Sequence, residues 1–169
     1  MNHELKIMIE YKSIQSKINN YATQLNSDYI NKKLIIICIL KGAVPFLKDL
    51  CNNLNIEYDI YFIDINSYKG MERNKITSEN ITFDVKNKHI LVIDDICDTG
   101  HTLKYITEEL KNKNPKTIIT AVLLNKVIKS KVFNANTSLF EIPDKFVVGY
   151  GLDFNNKYRF LKDIYTITI

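Results

Sequence analysis

The chain has no tryptophan, only three cysteines, three prolines and five glycines in 169 residues, and no long apolar run. Each shortage removes a class of protein. Cys38, Cys51 and Cys97 are odd in number and widely spaced, with no Cys-x-x-Cys, so neither a disulfide framework nor a zinc site is expected. The longest uninterrupted apolar stretch, Leu34 to Leu40, falls far short of the ~20 residues that span a bilayer. The segment from Met1 to Glu10 is broken by charges and lacks the apolar core of a secretory signal, which makes a cytoplasmic location the expectation. There is no Gly-x-Gly-x-x-Gly dinucleotide fingerprint, no internal repeat and no linker. A clustered basic segment is also missing: the net charge is +4 but the lysines are scattered. Nucleic acid is therefore not an expected partner, whereas mild positive charge suits a substrate with several phosphates. What remains is an ordinary globular composition, 46% hydrophobic and 25% charged, at a length expected to form one domain over residues 1–169.

The stretch that organises the rest is His89 to Thr102. Ile90, Leu91, Val92 and Ile93 form a branched apolar run, the pattern of a strand buried on both faces of a parallel sheet. Asp94 and Asp95 then fall at its carboxyl end, the edge where open α/β sheets bind ligands. Asp98-Thr99-Gly100-His101-Thr102 follows as a turn into a helix with apolar residues at Leu103, Ile106 and Leu110. Free N–H groups at such a helix start, with the Thr99 and Thr102 hydroxyls, make a phosphate cradle. Three acids beside a phosphate site require hydroxyls or a cation between them. A sugar phosphate with a divalent metal meets that requirement, and Mg²⁺ is the hard cation that favours such oxygens. Cys97 is read as apolar filler, because no acid/base partner for it is evident.

Around this turn the chain alternates strand and helix. Residues 4 to 26 carry Tyr11, Ile14, Ile18, Tyr21, Ala22 and Leu25 on one helical face, which predicts an amino-terminal helix. Leu34 to Leu40 is a buried strand ending at Lys41-Gly42-Ala43, and Pro45 opens a helix to about Leu54. Glu57 to Asn66 is the next strand. A polar stretch from Ser67 to about Lys88 follows, with a short extended piece at Ile81 to Phe83. The helix after the turn stops near Asn114-Pro115, Thr117 to Leu124 is a further strand, and Ile164 to Ile169 closes the chain as another. This alternation predicts a Rossmann-like open parallel sheet covered on both faces.

The turn from Asp94 to Thr102 resembles the 5-phosphoribosyl-1-pyrophosphate (PRPP) motif of type I phosphoribosyltransferases. The later segment Ile142-Pro143-Asp144-Lys145-Phe146-Val147-Val148-Gly149-Tyr150-Gly151-Leu152-Asp153 is similar to the base-binding region of hypoxanthine-guanine phosphoribosyltransferases within that family, and the likeness runs in order along essentially the whole chain. The resemblance implies the type I fold, with a small hood formed by the N- and C-terminal segments. It also implies transfer of the 5-phosphoribosyl group from PRPP to N9 of hypoxanthine or guanine, with Mg²⁺, in a homodimer or homotetramer.

The same resemblance implies roles for individual residues. Asp94, Asp95, Asp98, Thr99, Gly100, His101 and Thr102 would bind PRPP, His101 through its N–H alone, with Asp94 standing where the family more often has glutamate. Asp98 would be the acid/base partner of the purine N7. Leu40, Lys41, Gly42 and Arg159 would meet pyrophosphate, with a cis Leu40–Lys41 peptide and with Ala43 where a second glycine is common. Ser67 and Tyr68 would belong to a closing loop. Lys126, Phe146, Val147 and Asp153 would form the purine pocket, and Asp94, Asp95 and Asp153 would be the metal acids. Two other readings compete. One is a nucleotide- or PRPP-sensing regulator, RNA-binding in some form, which needs a basic face the sequence does not display. The other is a phosphatase, whose Asp-x-Asp arrangement is absent because Asp94 and Asp95 are adjacent.

Overall fold

Five parallel strands form the centre of the computed structural model, which describes residues 4–65 and 81–168. In chain order the elements are β1 (Glu4–Ile9), α1 (Tyr11–Asp28), β2 (Leu34–Leu40), α2 (Val44–Cys51), β3 (Tyr58–Asp64), β4 (His89–Cys97), α3 (His101–Lys111), β5 (Thr117–Lys126), β6 (Thr137–Ile142), β7 (Val147–Val148) and β8 (Ile164–Thr168). The central sheet runs β3-β2-β4-β5-β6 with every neighbour parallel. β1, β8 and β7 make a separate antiparallel sheet, the expected hood of N- and C-terminal segments.

Side-chain alternation along the inner strands fills both faces of the sheet, which explains why these strands are continuous apolar runs. Leu34, Ile36 and Cys38 of β2 and Leu91 and Ile93 of β4 pack with Ile14, Ile18, Phe46 and Leu50 of α1 and α2. Ile35, Ile37 and Ile39, with Ile90 and Val92, turn the other way onto Leu103, Ile106 and Leu110 of α3. Ile81 and Val85 join that second layer as buried residues in irregular chain, where a short extended piece was expected.

The amino terminus differs from expectation. Residues 4–9 are a strand, not the first turns of the helix, and pair with β8 from Glu4↔Thr168 to Ile9↔Ile164. The pairing partner lies at the far end of the chain, so local periodicity does not reveal it. Glu10 is extended, and the first helical N–H, that of Tyr11, donates to Asp163 Oδ1 at 2.7 Å. The orphan donor at the helix start is thus satisfied from the hood rather than by a local cap. β6 and the two-residue β7 also carry no period that marks them in the sequence.

The connectivity fixes where a ligand can bind. The chain leaves β2 through α2 toward β3 on one side, and leaves β4 through α3 toward β5 on the other. The carboxyl ends of β2 and β4 therefore diverge around a crevice, the switch point of an open parallel sheet. Leu40 to Gly42 and Asp94 to Thr102 stand on its two banks. No helix among the described residues is long and apolar enough to cross a membrane.

Candidate active site

Gly100 turns the chain from β4 into α3 with φ at +89°. A Cβ at this position would overlap the Phe133 carbonyl oxygen, so both the dihedral and the space call for glycine. Among the described residues, the backbone N–H groups of Thr99, Gly100, His101 and Thr102 donate to no protein acceptor. The first turn of α3 carries no acid. A hollow of about 80 Å³ lies over these groups, lined by Asp94, Asp98, Thr99, Gly100, His101 and Thr102. Unpaired donors at the positive end of a helix suit a phosphate.

Asp94, buried, and Asp95, half-buried, are the sixth and seventh of the nine residues of β4, inside the strand rather than beyond its end. Asp94 Oδ1 accepts the Asp95 N–H at 2.9 Å and Asp95 Oδ1 accepts the Ile96 N–H at 2.8 Å. Burial holds the Asp94 carboxyl well above the usual carboxylate range, and the adjacent Asp95 charge pushes it the same way. Burial also raises Asp95, opposed by the hydrogen bond from Asp94, by backbone N–H groups and by the Arg159 charge. Burial therefore works against the charged form of both acids, and more strongly for Asp94.

On the β5 side a cleft of about 200 Å³ is lined by Asp95, Asp98, Lys126, Lys145, Phe146, Val147, Leu152 and Asp153. Lys126 ends β5, and its ammonium lies 3.5 Å from Asp98 Oδ2 and 3.1 Å from Asp144 Oδ1. Phe146 is 46% exposed although it is a large apolar ring. The Phe154 ring braces it edge-on at 5.5 Å, which leaves Phe146 open for stacking. Val147 is buried in the cleft floor. No role for Asp144, Lys145 or Leu152 follows from the sequence. Asp144 and Lys145 lie within the motif that carried the resemblance, but only the structure shows Asp144 pairing with Lys126.

The pyrophosphate candidates lie on the opposite bank. The Leu40–Lys41 peptide is cis, as the resemblance implied. Lys41 is exposed and Gly42 buried, while Ala43 packs fully buried at the start of α2. Arg159 Nη2 pairs with Asp153 Oδ1 at 2.6 Å, and Nη1 donates to the Gly151 carbonyl at 2.7 Å. Ser67 and Tyr68 lie outside the described residues.

The site thus sets an anion cradle and buried acids beside a cleft that ends in a lysine and an open aromatic ring. Residues 10–155 match the family described as the phosphoribosyl transferase domain, and the chain belongs to that family. Within it, the similar proteins are purine enzymes. Hypoxanthine-guanine phosphoribosyltransferase of Aquifex aeolicus is 36% identical, over 97% of this chain and 95% of its own length. The enzyme of the same name from Bacillus subtilis is also 36% identical, over 94% of this chain and 91% of its own. The crystal structure of a Bacillus anthracis hypoxanthine-guanine phosphoribosyltransferase superposes with a TM-score of 0.85 at 29% identity, covering 99% of this chain and 100% of that one.

Proposed function

We propose that this protein is a single-domain purine-salvage enzyme that transfers the 5-phosphoribosyl group from PRPP to N9 of hypoxanthine or guanine, giving IMP or GMP and pyrophosphate. The observation that carries this reading is the cleft in which Asp98, Lys126, Phe146 and Asp153 meet beside the N–H groups of Thr99 to Thr102. A base in the cleft and a phosphate in the hollow would be joined through the ribose over Asp94 and Asp95.

Breaking the anomeric bond builds positive charge on the sugar, as in glycoside hydrolysis. The acids supply negative charge beneath that position. The cradle holds the 5′-phosphate by its N–H groups and by the Thr99 and Thr102 hydroxyls, which fixes the sugar for in-line attack. Asp98 exchanges a proton with the purine N7, so that N9 can attack as its electron pair becomes available. Lys126 donates to the 6-oxo oxygen. An adenine amino group at the same place would leave the ammonium unpaired, which is the basis of discrimination. Phe146 stacks on the base, and Val147 meets its edge through the backbone. Lys41 and Arg159 receive the departing pyrophosphate.

Mg²⁺ fits the chemistry of this site, because Asp94, Asp95 and Asp153 offer hard oxygen donors and burial disfavours the uncompensated charge of the first two. Among the described residues no group of three acids, histidines or cysteines is arranged to hold an ion, so these acids would act as separate donors. When bound, Mg²⁺ neutralises charge on the pyrophosphate. The protein's location is proposed to be the cytoplasm; assembly as a homodimer or homotetramer is supported by the exposed Ile60 and Phe62 on the edge strand β3. The sensing and RNA-binding alternative gains no support, since the similar proteins are transferases.

Purified protein supplied with Mg²⁺ and PRPP is offered hypoxanthine, guanine, xanthine and adenine in turn while pyrophosphate release is followed. Release with hypoxanthine or guanine and not with adenine is expected. Release with no base, or with adenine alone, would overturn the reading.

A further inference from the structure

Lys131 lies in the connection between β5 and β6 and has no part in the roles assigned above. Its ammonium donates to three backbone carbonyls: Cys97 O at 2.7 Å, Asp98 O at 2.6 Å and Lys126 O at 3.1 Å. An ammonium carries three N–H donors, so these bonds use its whole capacity. Cys97 ends β4, Asp98 opens the turn after it, and Lys126 ends β5. The next residue continues the pattern, since the Val132 N–H donates to Thr99 O at 2.9 Å. Residues 131 and 132 therefore gather the carbonyls of Cys97, Asp98 and Thr99 on one side of the turn.

In a trans peptide the C=O and the following N–H point in opposite directions, and the described peptides of this turn are trans. Drawing three consecutive carbonyls toward Lys131 and Val132 faces the following N–H groups the other way, among them the unpaired donors of Thr99 and Gly100, toward the hollow lined by residues 98–102. The lysine charge also offsets the repulsion between converging carbonyl dipoles, a role that a neutral side chain cannot fill.

We infer that Lys131 is a positioning residue: its ammonium gathers the carbonyls behind the turn and so aims the backbone donors that grip the 5′-phosphate of PRPP. The inference rests on the proposal that this hollow takes that phosphate. Lys131 touches no substrate; it acts through the turn, and through Lys126 O it ties that turn to the end of β5.

The test compares wild type with Lys131→Met and Lys131→Ala, measuring KM for PRPP, KM for hypoxanthine, kcat and melting temperature. The expected result is a KM for PRPP raised roughly tenfold, the scale of one or two misaligned charge-assisted hydrogen bonds, with KM for hypoxanthine little changed. Added n-propylammonium, which replaces the atoms missing in Lys131→Ala, should restore PRPP affinity. Tetramethylammonium, with equal charge and no N–H, should not. If the alanine variant does not fold, the methionine variant carries the KM comparison alone. An unchanged KM for PRPP, equal losses for both substrates, or a fall in melting temperature alone would overturn the inference. A wild-type protein inactive with PRPP would instead refute the proposed function before any variant is compared.

Discussion

The carboxylate of Asp95 lies directly against the Cα of Gly42, so that a Cβ at position 42 would occupy the space of Asp95 Oδ2 and crowd its Cγ. This contact joins the ends of β2 and β4 across the switch point of the sheet. It places the candidate pyrophosphate segment against the acids proposed to hold the ribose. Because Gly42 is not among the residues with positive φ, the requirement is for space and not for backbone freedom. Gly42→Ala is expected to push the Asp95 carboxylate aside and lower kcat/KM for PRPP by about 10²-fold, the scale of a small misplacement at a reacting centre. Steady-state kinetics checks this, and an unchanged kcat/KM would show that the Gly42 contact does not set the acid's working position.

Asp98→Asn keeps the size of the side chain and removes its ability to exchange a proton. Turnover is expected to fall by roughly 10² to 10⁴, the usual contribution of acid/base help, while PRPP affinity is largely kept. Turnover equal to wild type would remove Asp98 from its role.

Lys126 is held by Asp98 and Asp144 in the structure, so a 6-oxo oxygen would enter an already organised pair of contacts. Lys126→Gln replaces the ammonium with an amide that can donate or accept. The ratio of kcat/KM for hypoxanthine over adenine is therefore expected to narrow, by roughly tenfold or more for one charged hydrogen bond. An intact ratio in competition assays with both bases would place discrimination elsewhere.

These expectations depend on how the site is assembled, and the sequence reveals that assembly unevenly. β2, β4 and β5 are legible because burial on both faces turns them into continuous branched apolar runs. The turn at Gly100 is legible because its residue types each answer a local need. β1 is not, since what makes residues 4–9 a strand is β8 at the other end of the chain. Asp144 beside Lys126 and Lys131 beneath the turn are equally silent, because their partners are brought near by the fold rather than by spacing. The same holds for Tyr150, whose hydroxyl donates to the buried carboxylate of Asp49 at 2.6 Å, 101 residues away.

Asp49 also accepts from Gln15 Nε2 at 2.6 Å, so α1, α2 and the segment after β7 meet on one carboxylate. Tyr150→Phe leaves that carboxylate short of a partner in a buried place. A loss of roughly 1–3 kcal/mol is expected, which corresponds to a fall of several degrees in melting temperature for a chain of this size. Thermal denaturation followed by circular dichroism measures it, and a shift under one degree would show that the Gln15 contact suffices.

Burial raises the pKa values of Asp94 and Asp95 in the folded chain, so between the ordinary carboxylate value and these raised values the folded state binds more protons than the unfolded state. Their contribution to stability is then lost as pH rises through that window and recovered as pH falls. Asp94→Asn removes the titrating group. It is expected to raise the melting temperature of the ligand-free protein at pH 8, with a gain that shrinks toward pH 4, and to reduce activity. A melting temperature lowered at pH 8 would contradict the assignment of Asp94 as a functional acid held at a cost to the fold.

The central claim is that one ligand spans two adjoining hollows, its phosphate on the backbone of Thr99 to Thr102 and its base between Phe146 and Lys126. A crystal structure of the protein with IMP tests it most directly. The account predicts phosphate oxygens within hydrogen-bond distance of those N–H groups and the 6-oxo oxygen on the Lys126 ammonium. IMP bound with its phosphate away from residues 99–102, or with its base outside the cleft of Lys126 and Phe146, would contradict it.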